Sequence, residues 1–599
     1  MGHSYILQPP PTPEHCVRQR GRFAAERRLV VAIMVLCSLV MAPAASLADN
    51  PIIQTNYTAD PAAMVYNGTL YVYTGHDEDV TVNNFFTMNN WLVFSTTDMV
   101  NWTDHGSPMS YQTFTWARGD AWAAQPIPRN GKFYYYAPVT ATATGARSIG
   151  VAVSSSPTGP FADAIGKPLI TSDCGDIDPT VFIDDDGQAY LYWGNPSSCY
   201  VKLNPDMISF SGGINHVPMT TASFGTRVGN AQRATLYEEG PWFYKRNGLY
   251  YLAFAADCCA PEKIDYSTSP GPTGPWAYKG RIYTSAGSAS FTNQTGIFDF
   301  MGHSYALYHN GALPGGGGYH RSVGIEEFKY NSDGTIPTIN PTAAGPAAIA
   351  NLNPFVQTEA ETIAFSSGLK TEVCSEGGMD VTSINNGDYI KVRSVDFGSG
   401  ITSFDVRVAS AANGGSIELH IDSLAGPLLG TCAVQGTGGA QTWVTKSCAA
   451  SGATGIHDLF LKFAGTGTGN LFSFNWWKFG GPGESVDAGG TGGTDAGGMG
   501  SGGRGAGGTG SGGTAAGGSG AGGGVLAGTG GGSAGMGGAG GTGGIGGGAS
   551  AAEDTGGCNC QNGPGRGRGA LEISLLLLAY RFRRGRRAPV SEKRVRPVL

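Results

Sequence analysis

Hydrophobic and polar positions alternate through the first half of the chain, and one short phrase interrupts the alternation five times. The copies are Asn67-Gly68-Thr69-Leu70-Tyr71-Val72-Tyr73, Asn130-Gly131-Lys132-Phe133-Tyr134-Tyr135-Tyr136, Asp186-Gly187-Gln188-Ala189-Tyr190-Leu191-Tyr192, Asn247-Gly248-Leu249-Tyr250-Tyr251-Leu252-Ala253 and Met301-Gly302-His303-Ser304-Tyr305-Ala306-Leu307. Each reads as a tight turn followed by an aromatic, alternating strand. Their glycines lie 63, 56, 61 and 54 residues apart, the period of a β-propeller blade, so five copies predict five blades. A second alternating region, about 354–481, carries strands such as Asp388-Tyr389-Ile390-Lys391-Val392 and Asp458-Leu459-Phe460-Leu461-Lys462-Phe463, spaced like a β-sandwich of jelly-roll type. The predicted class is all-β: a five-bladed propeller over 51–340, an Ala/Pro linker from Pro341 to Asn353, a sandwich, a Gly-rich disordered linker over 482–557 and a tail over 558–599.

A propeller brings equivalent positions of its repeats together around one axis, so a residue type recurring in register is informative. Asp60 stands eight residues before Gly68, Asp178 nine before Gly187 and Glu239 nine before Gly248, each leading into a proline: Asp60-Pro61, Asp178-Pro179, Glu239-Gly240-Pro241. One such acid opens a turn. Three in register predict a carboxylate cluster in an axial pocket, where ionisable groups do chemistry. Repeat five offers Gln294 at the same place, and repeat two offers Trp122 and Gln125 nearby. Asp184-Asp185-Asp186-Gly187 reads as a hairpin turn.

The net charge of −7 and the lack of a basic patch in the folded part exclude nucleic acid as a partner. Arg27-Arg28, the apolar stretch Leu29 to Met41 and the small-residue site Ser46-Leu47-Ala48 predict an export signal within 1–48, too short to favour a membrane span. Export makes disulfides expected: Cys432 with Cys448 flanking a hairpin, and Cys174 with Cys199 across the third repeat, while Cys258-Cys259 has no assignable partners. No paired CxxC spacing suggests zinc. In the tail, Cys558-Asn559-Cys560, an apolar run from Ile573 to Tyr580 and the arginines from Arg581 to Arg587 follow one another as a surface-sorting signal would.

These residues resemble glycoside hydrolase family 43. The resemblance lies in Thr58-Ala59-Asp60-Pro61-Ala62, Asp176-Ile177-Asp178-Pro179-Thr180-Val181-Phe182, Glu238-Glu239-Gly240-Pro241-Trp242 and Gly315-Gly316-Gly317-Gly318-Tyr319-His320-Arg321-Ser322-Val323. The family is a five-bladed propeller. The resemblance implies Asp60 as general base, Glu239 as general acid and Asp178 as the residue that tunes the acid's pKa. An inverting glycosidase needs one carboxylate to activate water and a protonated one to protonate the leaving oxygen; a third acid beside Glu239 keeps it protonated by like-charge repulsion. Strand alternation points Glu238 away. Arg321, His309, Trp122 and Gln294 are expected substrate contacts. Many members carry a histidine near the axis, linked with calcium or ordered water; Gln294 stands there in this chain and departs from that pattern.

The segment Tyr308-His309-Asn310-Gly311-Ala312-Leu313-Pro314 resembles the family branch acting on arabinoxylan. The second region resembles carbohydrate-binding module family 6, through Gln357-Thr358-Glu359-Ala360-Glu361, Asn386-Gly387-Asp388-Tyr389, Gln441-Thr442-Trp443 and Leu471-Phe472-Ser473-Phe474-Asn475-Trp476. There Trp443 is the candidate sugar platform with Asn470 as hydrogen-bond partner, and Glu359 and Glu361 are candidate ligands of a structural calcium. The tail is similar to myxobacterial sorting signals. The expectation is a secreted or surface-held monomer that removes α-L-arabinofuranosyl side chains from arabinoxylan or xylan with no required cofactor. The alternatives are a β-xylosidase or arabinanase on the same fold, and a non-catalytic polysaccharide binder, against which the intact acid triplet argues.

Overall fold

The computed structural model describes residues 49–229, 233–258, 261–284, 289–412, 414–467 and 469–482. The expected export signal, the Gly-rich linker and the sorting tail lie outside them. Among the described residues the chain is all-β, with one α-helical turn at Thr221–Phe224 and one 3-10 turn at Tyr111–Thr113. No described helix is long and apolar enough to cross a membrane.

Between Tyr57 and Phe328 the chain forms five antiparallel sheets, visited one after another. Their opening pairs are Tyr57–Tyr66 with Thr69–Asp77, Gln125–Arg129 with Lys132–Thr140, Thr180–Ile183 with Ala189–Trp193, Tyr237–Arg246 with Leu249–Ala256, and Ile297–Phe300 with His303–Asn310. The repeated phrase of the sequence is the turn inside each pair. In four of the five, both central residues have positive φ, as at Asn67 (49°) and Gly68 (75°), the backbone that a two-residue hairpin turn matched to strand twist requires.

The opening strands also pack against one another. The Gln125 amide accepts from Val181 N at 3.1 Å and donates to Val181 O at 3.2 Å. Thr180 Oγ1 accepts from Phe243 N at 3.1 Å, and Trp242 Nε1 donates to Ile297 O at 2.8 Å. The chain start joins the last sheet: Ile52 N donates to Val323 O, and Asn50 Oδ1 accepts from Ile325 N at 3.0 Å. Aromatic and β-branched residues fill the space between sheets, among them Trp91, Tyr135, Trp193, Tyr251 and Tyr266.

The second region holds two sheets facing each other across a core of Ile390, Val392, Leu419, Leu461 and Phe463 with Phe404, Val406, Phe474 and Trp477. Both expected disulfides are present, Cys174–Cys199 and Cys432–Cys448. The second differs from expectation in its setting. Cys432 lies on Leu428–Val434, paired with Gly415–Ile421, and Cys448 on Gly439–Ala449, paired with Ser403–Ser410. The bond therefore staples the two sheets together instead of closing a hairpin. Cys258 is disulfide-bonded, and Cys374 is a buried free thiol.

The expected linker is docked. Thr342 N and Oγ1 donate to Glu326, Ile349 N to Asp98 O, and Leu352 bridges Val395. Beyond it, strand Thr362–Ile363 pairs with Trp102–Asp104 and so extends the first sheet with a piece of the second region. Lys391 and Arg393 reach Asp49 at 3.1 and 2.8 Å, and Thr371 Oγ1 donates to Asp104 at 2.7 Å.

Candidate active site

Asp60, Asp178 and Gly240 each precede a proline, and all three have left-handed backbone, with φ of 51°, 56° and 58°. The ladder slips between Ala59 and Ala62 in one sheet and between Glu239 and Trp242 in another. Such a bulge bends a strand and re-aims a side chain. These bulges at Asp60 and Glu239, and the left-handed residue Asp178 just before strand Thr180–Ile183, bring the three acids to one pocket, which Trp122, Gln294 and Arg321 also line. A carboxylate before a proline was the visible half of this device; the bulge behind it was not.

The three acids differ by their neighbours. Burial pushes Asp60 up to about 6, against the pull of the Arg321 guanidinium, whose Nη1 donates to Asp60 Oδ1 at 3.0 Å. Burial pushes Glu239 up to about 7; Asn195 Nδ2, which donates to Glu239 Oε2, opposes it, while the charges of Asp60 and Glu238 add to it. Asp178 is pushed well above the carboxylate range by burial, then by the charges of Glu239 and Asp60, against the Gly240 N–H that donates to it at 2.9 Å. Glu238 faces away, as alternation predicts: it is fully buried and held by Arg227, Arg233 and Cys258 N.

Arg321 spends most of its donors inside the protein. Nε and Nη2 form a fork on Asp77, each at 2.9 Å, and the guanidinium lies 4.7 Å from the Phe86 ring. The sugar contact expected of His309 has no surface to happen on. His309 is completely buried; Nδ1 accepts from Asp60 N at 3.2 Å, which leaves the proton on Nε2 to donate to Thr292 Oγ1 at 3.2 Å. Burial, and then the Arg321 charge, hold this imidazole well below its usual range, so it is a neutral brace behind Asp60. Gln294 lies over Gly240, but the hydrogen bond to Glu239 comes from Asn195.

Several pocket residues carried no sequence signal. Phe85, Phe86 and Met88 line it from the segment after Asp77, and Thr292 and Asn293 from the segment before Ile297. Phe86 packs edge-on to Tyr319 at 4.9 Å and to Trp122 at 6.1 Å, and Arg147 covers the Trp122 ring at 3.8 Å. Buried Glu262 accepts from Asn293 N at 2.9 Å. These residues sit in irregular segments, so neither register nor period marked them. Cys174, Cys199 and His216 place ligand atoms within 4.8 Å of one another, the one such trio among the described residues, but the sulfurs are joined in a disulfide and offer no thiolate to a metal.

In the second region, half-buried Trp443 donates from Nε1 to Ser375 Oγ at 3.0 Å. Asn470 is exposed, but its Oδ1 accepts from Ile384 N at 2.9 Å and its amide reaches Thr382. Ser375 precedes the strand Met379–Thr382 and Thr382 closes it. Arg407 stands beside Trp476 and Thr445 on neighbouring strands and pairs with Glu376. Glu361 is buried with Oε2 lacking a partner, and burial, then Glu359, Asp104 and Asp380, push it up to about 9. Glu359 is half-buried and accepts from Gln357 at 3.2 Å.

A pocket with acids of divided pKa, walled by aromatics and joined to a β-sandwich, defines a carbohydrate-cleaving enzyme. The model of glycosyl hydrolases family 43 matches residues 48–336, and that of carbohydrate binding module family 6 matches 359–481. An arabinoxylan arabinofuranohydrolase of Bacillus subtilis is 36% identical across 72% of this chain and 92% of its own length. One of Paenibacillus polymyxa is 33% identical across 72% and 74%. The crystal structure of a family 43 arabinoxylan arabinofuranohydrolase from Bacillus subtilis, in complex with cellotetraose, superposes with a TM-score of 0.63 at 35% identity over 73% of this chain and 99% of that one. The chain belongs to glycoside hydrolase family 43. It is an enzyme that hydrolyses glycosidic bonds, with an appended carbohydrate-binding module.

Proposed function

We propose that this enzyme removes α-L-arabinofuranosyl side chains from arabinoxylan with inversion, on a propeller whose five blades are the five sheets. Asp60 is the general base: it takes a proton from water as the water oxygen bonds to the anomeric carbon. Glu239 is the general acid: it gives its proton to the leaving oxygen as the glycosidic bond breaks. Asp178 sits against the Glu239 backbone and keeps a proton on the pair, because two neighbouring buried carboxylates resist ionising together. The observation that carries the reading is the unequal environment of Asp60 and Glu239. One has Arg321 beside it and titrates at about 6; the other has no cation of its own in hydrogen-bond contact and titrates at about 7. Between those values the base is ionised while the acid holds its proton, and no required cofactor enters.

The arabinoxylan preference is supported by the two relatives of that name. The binding module would raise the local concentration of substrate, through Trp443 or the half-buried sheet face that carries Arg407 and Trp476. Glu361, with an unpartnered buried oxygen, is the residue that a structural calcium would neutralise, with Glu359 beside it. Export and surface attachment rest on the leader and tail patterns. The test is sugar release from wheat arabinoxylan, linear arabinan and xylo-oligosaccharides, with Asp60→Ala and Glu239→Ala alongside. Arabinose from arabinoxylan alone, lost in both variants, is the expected result. Xylose, or products from arabinan, would move the enzyme to a xylosidase or arabinanase; xylan binding without release would make it a binder.

A further inference from the structure

Among the described residues, Glu239 receives its side-chain hydrogen bond from a residue outside its own sheet. Asn195 is buried and belongs to the irregular segment 194–198, which follows the strand Ala189–Trp193; its Nδ2 donates to Glu239 Oε2. A second irregular segment, 172–179, carries Asp178. The two are laid backbone on backbone. Asn195 N donates to Cys174 O at 3.0 Å, and Gly194 N to Ile177 O at 3.0 Å. A Cβ at Gly175 would stand 2.0 Å from Asn195 O, and one at Gly194 would stand 2.9 Å from Cys174 O. Only glycine permits that approach, and both glycines have positive φ besides.

Three further ties fix the pair of segments. Tyr237 OH, from the strand that carries Glu239, donates to Gly194 O at 2.9 Å. Asp176 accepts from Ser172 N at 2.6 Å and from Trp193 Nε1 at 2.9 Å. The covalent tie is Cys174–Cys199, with Cα atoms 6.3 Å apart, joining the start of one segment to the end of the other.

We propose that Asn195 is the positioning residue of Glu239, and that the Cys174–Cys199 disulfide holds it in place by locking together the segments that carry Asn195 and Asp178. The inference rests on Glu239 being the general acid. A planar amide clamped through its own backbone fixes one carboxylate oxygen and leaves the other, Oε1, to carry the proton toward the leaving group. The charged or titratable groups around Glu239 are Asp60, Asp178, Glu238, Glu262, Tyr237 and Arg321. Neither Asn195 nor the disulfide adds a charge to that set, so removing them changes geometry and one hydrogen bond while leaving the charges in place.

The test uses the exported chain and two substrates: arabinoxylan, whose leaving sugar needs a proton, and 2,4-dinitrophenyl α-L-arabinofuranoside, whose leaving group does not. Glu239→Gln is the control; it should abolish release from arabinoxylan and spare the aryl substrate. Loss of both together would overturn the acid assignment and this inference with it. With the control behaving, Asn195→Ala is expected to lower kcat/KM on arabinoxylan about 10- to 100-fold and to spare the aryl substrate. Its basic limb should move up by about one pH unit, because an N–H that stabilises the carboxylate has gone. An equal fall on both substrates with the limb unmoved would overturn the positioning role alone. The double variant Cys174→Ser/Cys199→Ser, which keeps Asn195, should show the same pattern, as should wild type treated with a phosphine reductant. An unchanged profile with the thiols shown free by titration would overturn the part given to the disulfide.

Discussion

Replacing Arg321 by methionine separates two accounts of this residue: sugar ligand, and brace of the base. Arg321 is 3% exposed and bonds Asp77 through a fork and Asp60 through Nη1. Methionine fills much of the space and removes the charge. A charge-assisted hydrogen bond holds a carboxylate down by roughly one to two pKa units, so Asp60 should rise from about 6 to about 8. Glu239 stays near 7 or rises slightly. In wild type, roughly 60% of the enzyme carries an ionised base and a protonated acid near pH 6.5; in the variant the order of the two pKa values reverses and the fraction falls to roughly 6% near pH 7.5. The optimum should therefore climb about one unit, with about a tenfold loss from protonation alone. The kcat/KM profile on arabinoxylan measures this directly. Fully buried Asp77 also loses its counter-charge, so the variant should be destabilised by about 3–5 kcal/mol, read by urea unfolding. Arg321→Lys keeps a charge without the fork, and its profile should lie between the two. A raised KM with both limbs unmoved would refute the reasoning and return Arg321 to the role of a sugar contact.

Three other outcomes follow from the same geometry. Glu239 is pushed up to about 7 in the folded chain, against an ordinary value of 4.5; its protonated form therefore supports folding fully below about 4.5, and that support is lost as pH rises through 7. Glu239→Gln should be inactive on arabinoxylan yet more stable than wild type at pH 8 by about 3 kcal/mol, and about equal at pH 4, when melting is compared at both. If Glu359 and Glu361 hold calcium, chelation should lower the melting temperature and added calcium restore it, with Glu361→Gln indifferent to both; indifference in wild type would remove the site. Trp443→Ala should weaken xylan binding about tenfold in affinity electrophoresis while leaving hydrolysis of the aryl arabinofuranoside unchanged; unchanged binding would shift attention to Trp476 and Arg407.

What could be read along the chain was whatever repeats. The glycine turns, three of them Asn-Gly, marked all five sheets because a hairpin of this length demands positive φ, and few residues supply it. The carboxylates were legible because an acid leading into a proline recurs in register. Glu238 could be set aside by alternation alone. Residues whose role depends on contacts across long sequence distances were hidden. Nothing near Asp77 or Arg321 reveals that they meet across 244 positions, and His309 looked like a surface ligand because a buried neutral histidine has the same letter. The Cys432–Cys448 spacing suggested a hairpin, since closeness in sequence does not say which sheet each strand joins. Asn195 sits in a segment without period, where only the packed backbone discloses its reach.

The three acids illustrate why residue type alone could not assign the chemistry. All are carboxylates brought to one pocket, and burial raises each of them. The division of labour comes from what stands next to them. The guanidinium that Asp77 pins in place faces Asp60, and the neutral His309 occupies the other side, so charge stabilisation goes to Asp60. Glu239 receives a neutral amide instead of a cation, and Asp178 competes with it for ionisation. Exchange those neighbours and the same three acids would titrate in a different order. The acid–base polarity of the pocket is therefore a property of Asp77, Arg321, His309 and Asn195 as much as of Asp60 and Glu239. Mutating the braces should reorder the pH limbs, whereas mutating the acids should erase them.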